Sequence, residues 1–150
     1  MPAMFSIRRA RPSDLVRILE IENASFRKDA YDRKLFAEYL RKCGGLFLVA
    51  LGRRDICGYI VTCTRGALPR AEVISIAIEP EARQKGAASA LLRSTLRRLR
   101  LRGVHRVDLM VKVTNRKARR FYEKFGFTSL RLVPEYYEDG RDAICMSREV

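Results

Sequence analysis

Histidine occurs once in these 150 residues, at position 105, and the four cysteines, Cys43, Cys57, Cys63 and Cys145, form no CxxC pair. Without clustered nitrogen and sulfur ligands, neither a metal site nor a dithiol motif is supported, and all four cysteines are expected to be free thiols. Long apolar runs are missing as well. The stretch "LFLVAL" is strand-length, far short of the roughly 20 residues a membrane-crossing helix needs. The start, "MPAMFSIRRARPSD", has no hydrophobic signal segment, so a cytoplasmic protein without a membrane partner is expected. No internal repeat, linker or low-complexity tract interrupts the chain, and one domain over residues 1–150 is expected. Acidic residues are scarce: 17 Asp and Glu stand against 31 Lys and Arg, a net charge of +14.

What is present points to a folded basic protein. A hydrophobic content of 47% excludes a disordered polybasic tail. A chain of this length buries roughly 70% of the surface it exposes when unfolded. The positive charge repels cationic small molecules such as polyamines and attracts acidic peptides, ribosomes or RNA. Nucleic acid is therefore a candidate partner but not a required one, and nothing in the sequence speaks to the oligomeric state.

Alternation in "MFSIRRA" predicts a first strand, followed by a helix in "RPSDLVRILEIENASF" with Leu15, Ile18, Leu19 and Ile21 at helical spacing. A second helix is predicted from Arg33 to Arg41, ending at Gly44 and Gly45. Three β-rich runs, "LFLVAL", "ICGYIVTCT" and "AEVISIAI", read as a meander because only short charged turns, "GRRD" and "RGALPR", separate them. A helix with Ala88, Leu91, Leu92, Leu96 and Leu99 on one side then leads to Gly103 and the strand "HRVDLMVKV". The segment "TNRKARRFYEKFGF" places Ala118, Phe121, Tyr122 and Phe125 on one helix face, and late strands "TSLRLV" and "DAICMSRE" flank the loop "PEYYEDGR". This order implies a mixed α/β sheet in which residues 72–102 form one right-handed crossover.

The turn "EPEARQKGAAS" raises a separate question. Small residues at 86–90 behind Arg83 would let several backbone amides reach an anion at a helix N-terminus, where the dipole already favours negative charge. Taken alone, the same residues read first as an ordinary basic helix start.

Three segments together, "AEVISIAIEPEARQKGAASALL", "VTNRKARRFYEKFGF" and "YYEDGRDAICM", resemble the GNAT superfamily of N-acetyltransferases over nearly the whole length, and within it the RimI-like protein N-terminal acetyltransferases. The resemblance implies a GNAT fold: a mixed, mostly antiparallel central sheet of six to seven strands flanked by about four helices. It implies acetyl-CoA as cosubstrate and no metal. The turn matching Arg83, Gln84, Lys85, Gly86, Ala87, Ala88 and Ser89 would wrap the diphosphate with backbone amides. The strand at Ile76, Ala77 and Ile78 would carry a bulge that splays it from the next strand, and the pantetheine arm would lie in the gap with Asn115 and Ala118, its thioester oxygen facing an amide near Ile78.

Tyr122 matches the family's tyrosine that protonates the departing thiolate, and its phenol, with an ordinary pKa of about 10, is a donor at neutral pH. By periodicity alone Tyr122 is a core aromatic, and Asn115 alone is a plain N-cap. For the base, Met110 stands where RimI-like relatives carry an acidic residue. Glu72 matches the glutamate that histone-acetylating members use, and Asp108 is a further candidate on the same strand as Met110.

The resemblance places Phe26 and Tyr31, from "SFRKDAYDRKLF", and Tyr136 and Tyr137 around a peptide slot. By themselves the tyrosines also fit a turn packed on the surface. The expected substrate is a protein or peptide N-terminus, a ribosomal protein among the candidates. At pH 7, neutralising an α-amine costs about 1.4 kcal/mol and a lysine about 5 kcal/mol, so the lack of a strong base favours the α-amine. The alternatives are another amine, on aminoacyl-tRNA, lysine or a small molecule, and, in a different class, a basic nucleic-acid binding module without catalysis.

Overall fold

The computed structural model describes residues 5–27, 31–67 and 69–150. Met4 of the expected first strand, residues 28–30 of the loop after the first helix and Leu68 of the "RGALPR" turn lie outside them. Seven strands form one sheet: β1 (Ser6–Arg9), β2 (Phe47–Leu51), β3 (Ile56–Thr64), β4 (Arg70–Ile78), β5 (Arg106–Lys112), β6 (Thr128–Val133) and β7 (Ala143–Glu149), in the spatial order β1-β2-β3-β4-β5-β7-β6. The meander β2-β3-β4 is antiparallel as expected, and β4 and β5 are the parallel pair that the crossover requires.

Four helices cover the sheet: α1 (Leu15–Phe26), α2 (Arg33–Lys42), α3 (Ala87–Leu101) and α4 (Arg116–Lys124). Strand alternation sorts the core into two layers. Leu48 and Ala50 of β2 lie in the layer with Leu91, Leu92, Leu96 and Leu99 of α3, against which Phe121 of α4 also packs. Phe47 and Val49 face the other way, onto Leu15, Ile18 and Ile21 of α1 and Phe36 of α2. On α3 the buried small residue is Ala87, whereas the expected Ala88 is half-buried. Buried Thr95 satisfies its hydroxyl on the Leu91 carbonyl at 2.9 Å, so a polar residue can sit on that face.

Two of the cysteines are not free thiols. Cys43, at the end of α2, is disulfide-bonded to Cys63 in β3, with Cα atoms 5.2 Å apart. That separation lies within the range a bridge spans, but it is created by α2 packing on β3, and a spacing of 20 residues carries no motif. Cys57 and Cys145 are free and buried.

The feature that opens the molecule is local to β4. Val61 of β3 pairs with Ser75, but Thr62 pairs with Val73, leaving Ile74 as an extra residue. A bulge of this kind bends the strand that carries it. The parallel ladder from β4 to β5 ends at Val73 and Leu109, so beyond it residues 74–78 and 110–112 diverge. The expected bulge is present, two residues earlier than Ile76.

Candidate active site

Between the diverging strands lies a cleft of about 550 Å³. Ile76 of β4 faces Met110 and Lys112 of β5 across it, Asn115, Ala118 and Tyr122 close it on the α4 side, and Phe26, Tyr31, Tyr136 and Tyr137 form walls. Four aromatics expected at a peptide slot, from two distant segments, thus meet at one opening. Tyr136 is held edge-on against Tyr137, whose ring carries the Lys112 ammonium 5.0 Å from its centre. Ala77 and Ile78 do not line the cleft: the first packs toward α1 and the second against the α3 layer.

Tyr122 belongs to the core and to the cleft wall at once. Its ring is packed against Phe121 and Phe127 in the core, the residue lines the cleft, and its hydroxyl has no hydrogen-bond partner among the described residues. Burial pushes the phenol above its usual range, so it stays protonated. Asn115 is an N-cap, its Oδ1 accepting from the Ala118 N–H at 3.1 Å, and it also lines the cleft.

The turn before α3 is shaped by two left-handed residues, Gln84 at φ 64° and Gly86 at φ 99°. Arg83 is tied down by donating to the Ile78 carbonyl at 3.0 Å and to the Ser25 hydroxyl at 3.2 Å. The first helical hydrogen bond joins Ala90 N–H to the Gly86 carbonyl, so the N–H groups of Ala87, Ala88 and Ser89 lie ahead of it at the positive end of a 15-residue helix. A Cβ built on Gly86 would meet nothing within 4 Å, and Lys85 is exposed beside it. The turn is an open, amide-lined cradle that fits a diphosphate.

The acidic candidates separate sharply. Asp108 is buried outside the cleft, accepting from Ser147 and from Arg70 at 2.9 Å; it is a structural ion-pair partner, and the suggestion of it as a base is corrected. Glu72 does line the cleft, but Arg65 pairs with its carboxylate. Sequence reasoning missed Glu22 of α1, which is 1% exposed and borders the cleft. It accepts hydrogen bonds from the Tyr59 hydroxyl, from the Tyr31 N–H at 2.9 Å and from the Ser75 hydroxyl at 3.2 Å. Burial raises its pKa, against the opposing effect of those three donors. A signal existed: Glu22 follows Ile18 by four residues and so stands on the apolar stripe of its helix, where an unpaired carboxylate is out of place. Tyr39 of α2 was missed too, having been indistinguishable from a core aromatic.

Residues 14–127 match the profile of the acetyltransferase (GNAT) family. The chain belongs to that family. Among GNAT relatives, it is 31% identical to the N-alpha-acetyltransferase of Saccharolobus solfataricus, the match covering 96% of this chain and 92% of the relative. Its fold superposes on Ard1 from Thermoplasma volcanium with a TM-score of 0.92 at 28% identity, over 99% of both chains. On the ribosomal-protein-S18-alanine N-acetyltransferase of Escherichia coli the TM-score is 0.86 at 26% identity, over 98% of this chain and 94% of the other. The protein is thus a RimI-like GNAT N-acetyltransferase, with the seven-strand, four-helix architecture that the resemblance implied.

Proposed function

We propose that this enzyme transfers the acetyl group of acetyl-CoA to the α-amine of a protein N-terminus, by direct attack with both substrates bound. The observation that carries the reading is that Tyr122 lines one cleft with Phe26, Tyr31, Tyr136 and Tyr137, at the place where β4 and β5 part. Amides of Ala87, Ala88 and Ser89, with Arg83, Gln84, Lys85 and Gly86 shaping the turn, hold the diphosphate. The β4 edge at Ile76, Ala77 and Ile78, which β5 leaves unpaired, supplies backbone groups to the pantetheine arm and a donor to the thioester oxygen. Asn115 and Ala118 border the arm. Tyr122 gives its proton to the departing sulfur.

Phe26, Tyr31, Tyr136 and Tyr137 grip the first residues of the peptide, and two carboxylates, Glu22 and Glu72, are the groups able to receive the ammonium proton. The names of the relatives support an N-terminal substrate. A cytoplasmic location, a ribosomal protein as substrate and one domain over residues 1–150 belong to the same proposal. Incubation with acetyl-CoA and a library of peptides with free N-termini, read by mass spectrometry, is expected to give single acetylation at the α-amine. Tyr122→Phe should lower kcat by about 10²-fold. Acetylation confined to lysine side chains or to charged tRNA would overturn the reading.

A further inference from the structure

Glu22 is a buried carboxylate without a counter-ion among the described residues: every group bonded to it is a neutral donor, from Tyr59, Tyr31 and Ser75. Burying a charge without an opposite charge is strongly unfavourable, and the imbalance is relieved when a cation arrives. The cleft it borders is where a substrate ammonium would enter under the function proposed above. Ser75 links the two. Ile74 and Ser75, consecutive in β4, both turn toward the α1 side, because the bulge at Ile74 breaks the strand's alternation. That extra residue brings the Ser75 hydroxyl within 3.2 Å of the Glu22 carboxylate and 3.0 Å of the Tyr59 hydroxyl while Ser75 still lines the cleft.

We propose that Glu22 receives the proton of the substrate ammonium through the Ser75 hydroxyl. The ammonium passes a proton to Ser75 Oγ as the Ser75 proton moves to Glu22, leaving a neutral amine. The amine nitrogen forms the bond to the acetyl carbon and the carbon–sulfur bond breaks. Tyr122 protonates the sulfur and is reprotonated by the second amine proton. Glu22 then releases its proton to solvent, so thioester and ammonium yield amide, thiol and one proton. Burial makes the Glu22 carboxylate a stronger proton acceptor than an ordinary exposed carboxylate. Of the groups facing it, Tyr59 of β3 and Tyr31 have phenols that burial pushes upward, Tyr31 to about 12, so neither competes for the role. Glu72, across the cleft, is occupied by Arg65.

The test compares Glu22→Gln, Ser75→Ala and Glu72→Gln with the wild type in peptide acetylation between pH 6 and 10, alongside coenzyme A affinity and Tm. Glu22→Gln is expected to lower kcat at pH 7 by about 10²-fold, with coenzyme A affinity unchanged and the deficit shrinking above pH 9, where the amine loses its proton unaided. Ser75→Ala should share that profile and Glu72→Gln should not. A wild-type pH profile in Glu22→Gln overturns the assignment. If that variant does not fold, a wild-type profile in Ser75→Ala overturns it instead. A wild type active only on lysine would sink the N-terminal reading, while the same comparison on lysine still decides the role of Glu22.

Discussion

At Asp14 one carboxylate ties three things together. It accepts from the Arg8 guanidinium at 2.7 Å and 3.1 Å and from the Arg11 N–H at 2.7 Å, which fixes the chain where β1 turns into α1. The Arg8 hydrogen bond is the largest cause of its depressed pKa, so its stabilisation is complete above the unfolded value of 3.8 and is lost as pH falls toward the folded one. Asp14→Asn is expected to cost about 2 kcal/mol at pH 7, the gap to wild type closing below about pH 4 in denaturant melts. Gly86 acts through backbone conformation, since open space surrounds a Cβ there but φ is 99°. Gly86→Ala should lower stability by about 1 kcal/mol and distort the cradle, weakening coenzyme A binding by roughly tenfold in calorimetry. Tyr122 and Asn115 were picked out only through the family resemblance of their segment, since helix position alone reads them as a core aromatic and an N-cap. Glu22 was not, because what surrounds it comes from β3 and β4, residues 59 and 75.

At the scale of elements, β4 and α2 decide the site. Apolar residues in "AEVISIAI" announced a strand, but the extra residue at Ile74 is visible only in its pairing with β3. The outcome, a gap beside β5, depends on that pairing. Helix α2, which carries Tyr39 to the cleft wall, is tethered to β3 by the Cys43–Cys63 bridge. Closing a loop over a separation of 20 residues stabilises by about 3 kcal/mol in the chain-entropy account. Treatment with dithiothreitol is therefore expected to lower Tm by several degrees, and Cys63→Ala should show the lower Tm without reductant; equal Tm values with and without reductant would count against the bridge.

For the whole molecule, charge and ligand act on the fold together. A net charge of +14 on 150 residues destabilises the compact state by self-repulsion, and a polyanionic ligand bound at the turn before α3 would offset part of it. Coenzyme A at a hundred times its Kd should stabilise the protein by about 2.7 kcal/mol, raising Tm by roughly 5–10 °C, less in high salt. A Tm that does not move with coenzyme A would remove the cradle from the account.

By itself the sequence determined the order and kind of the elements, the face each helix buries, the glycine turn before α3 and the segments that identify a GNAT enzyme, because each depends on spacing within a dozen residues. Tertiary structure alone decided that Cys43 meets Cys63, that Asp108 is consumed by Arg70 and Ser147, and that Glu22 lies buried under Ser75. Those are contacts between residues 20 or more positions apart, and no local pattern of polar and apolar residues specifies which distant face a side chain will find.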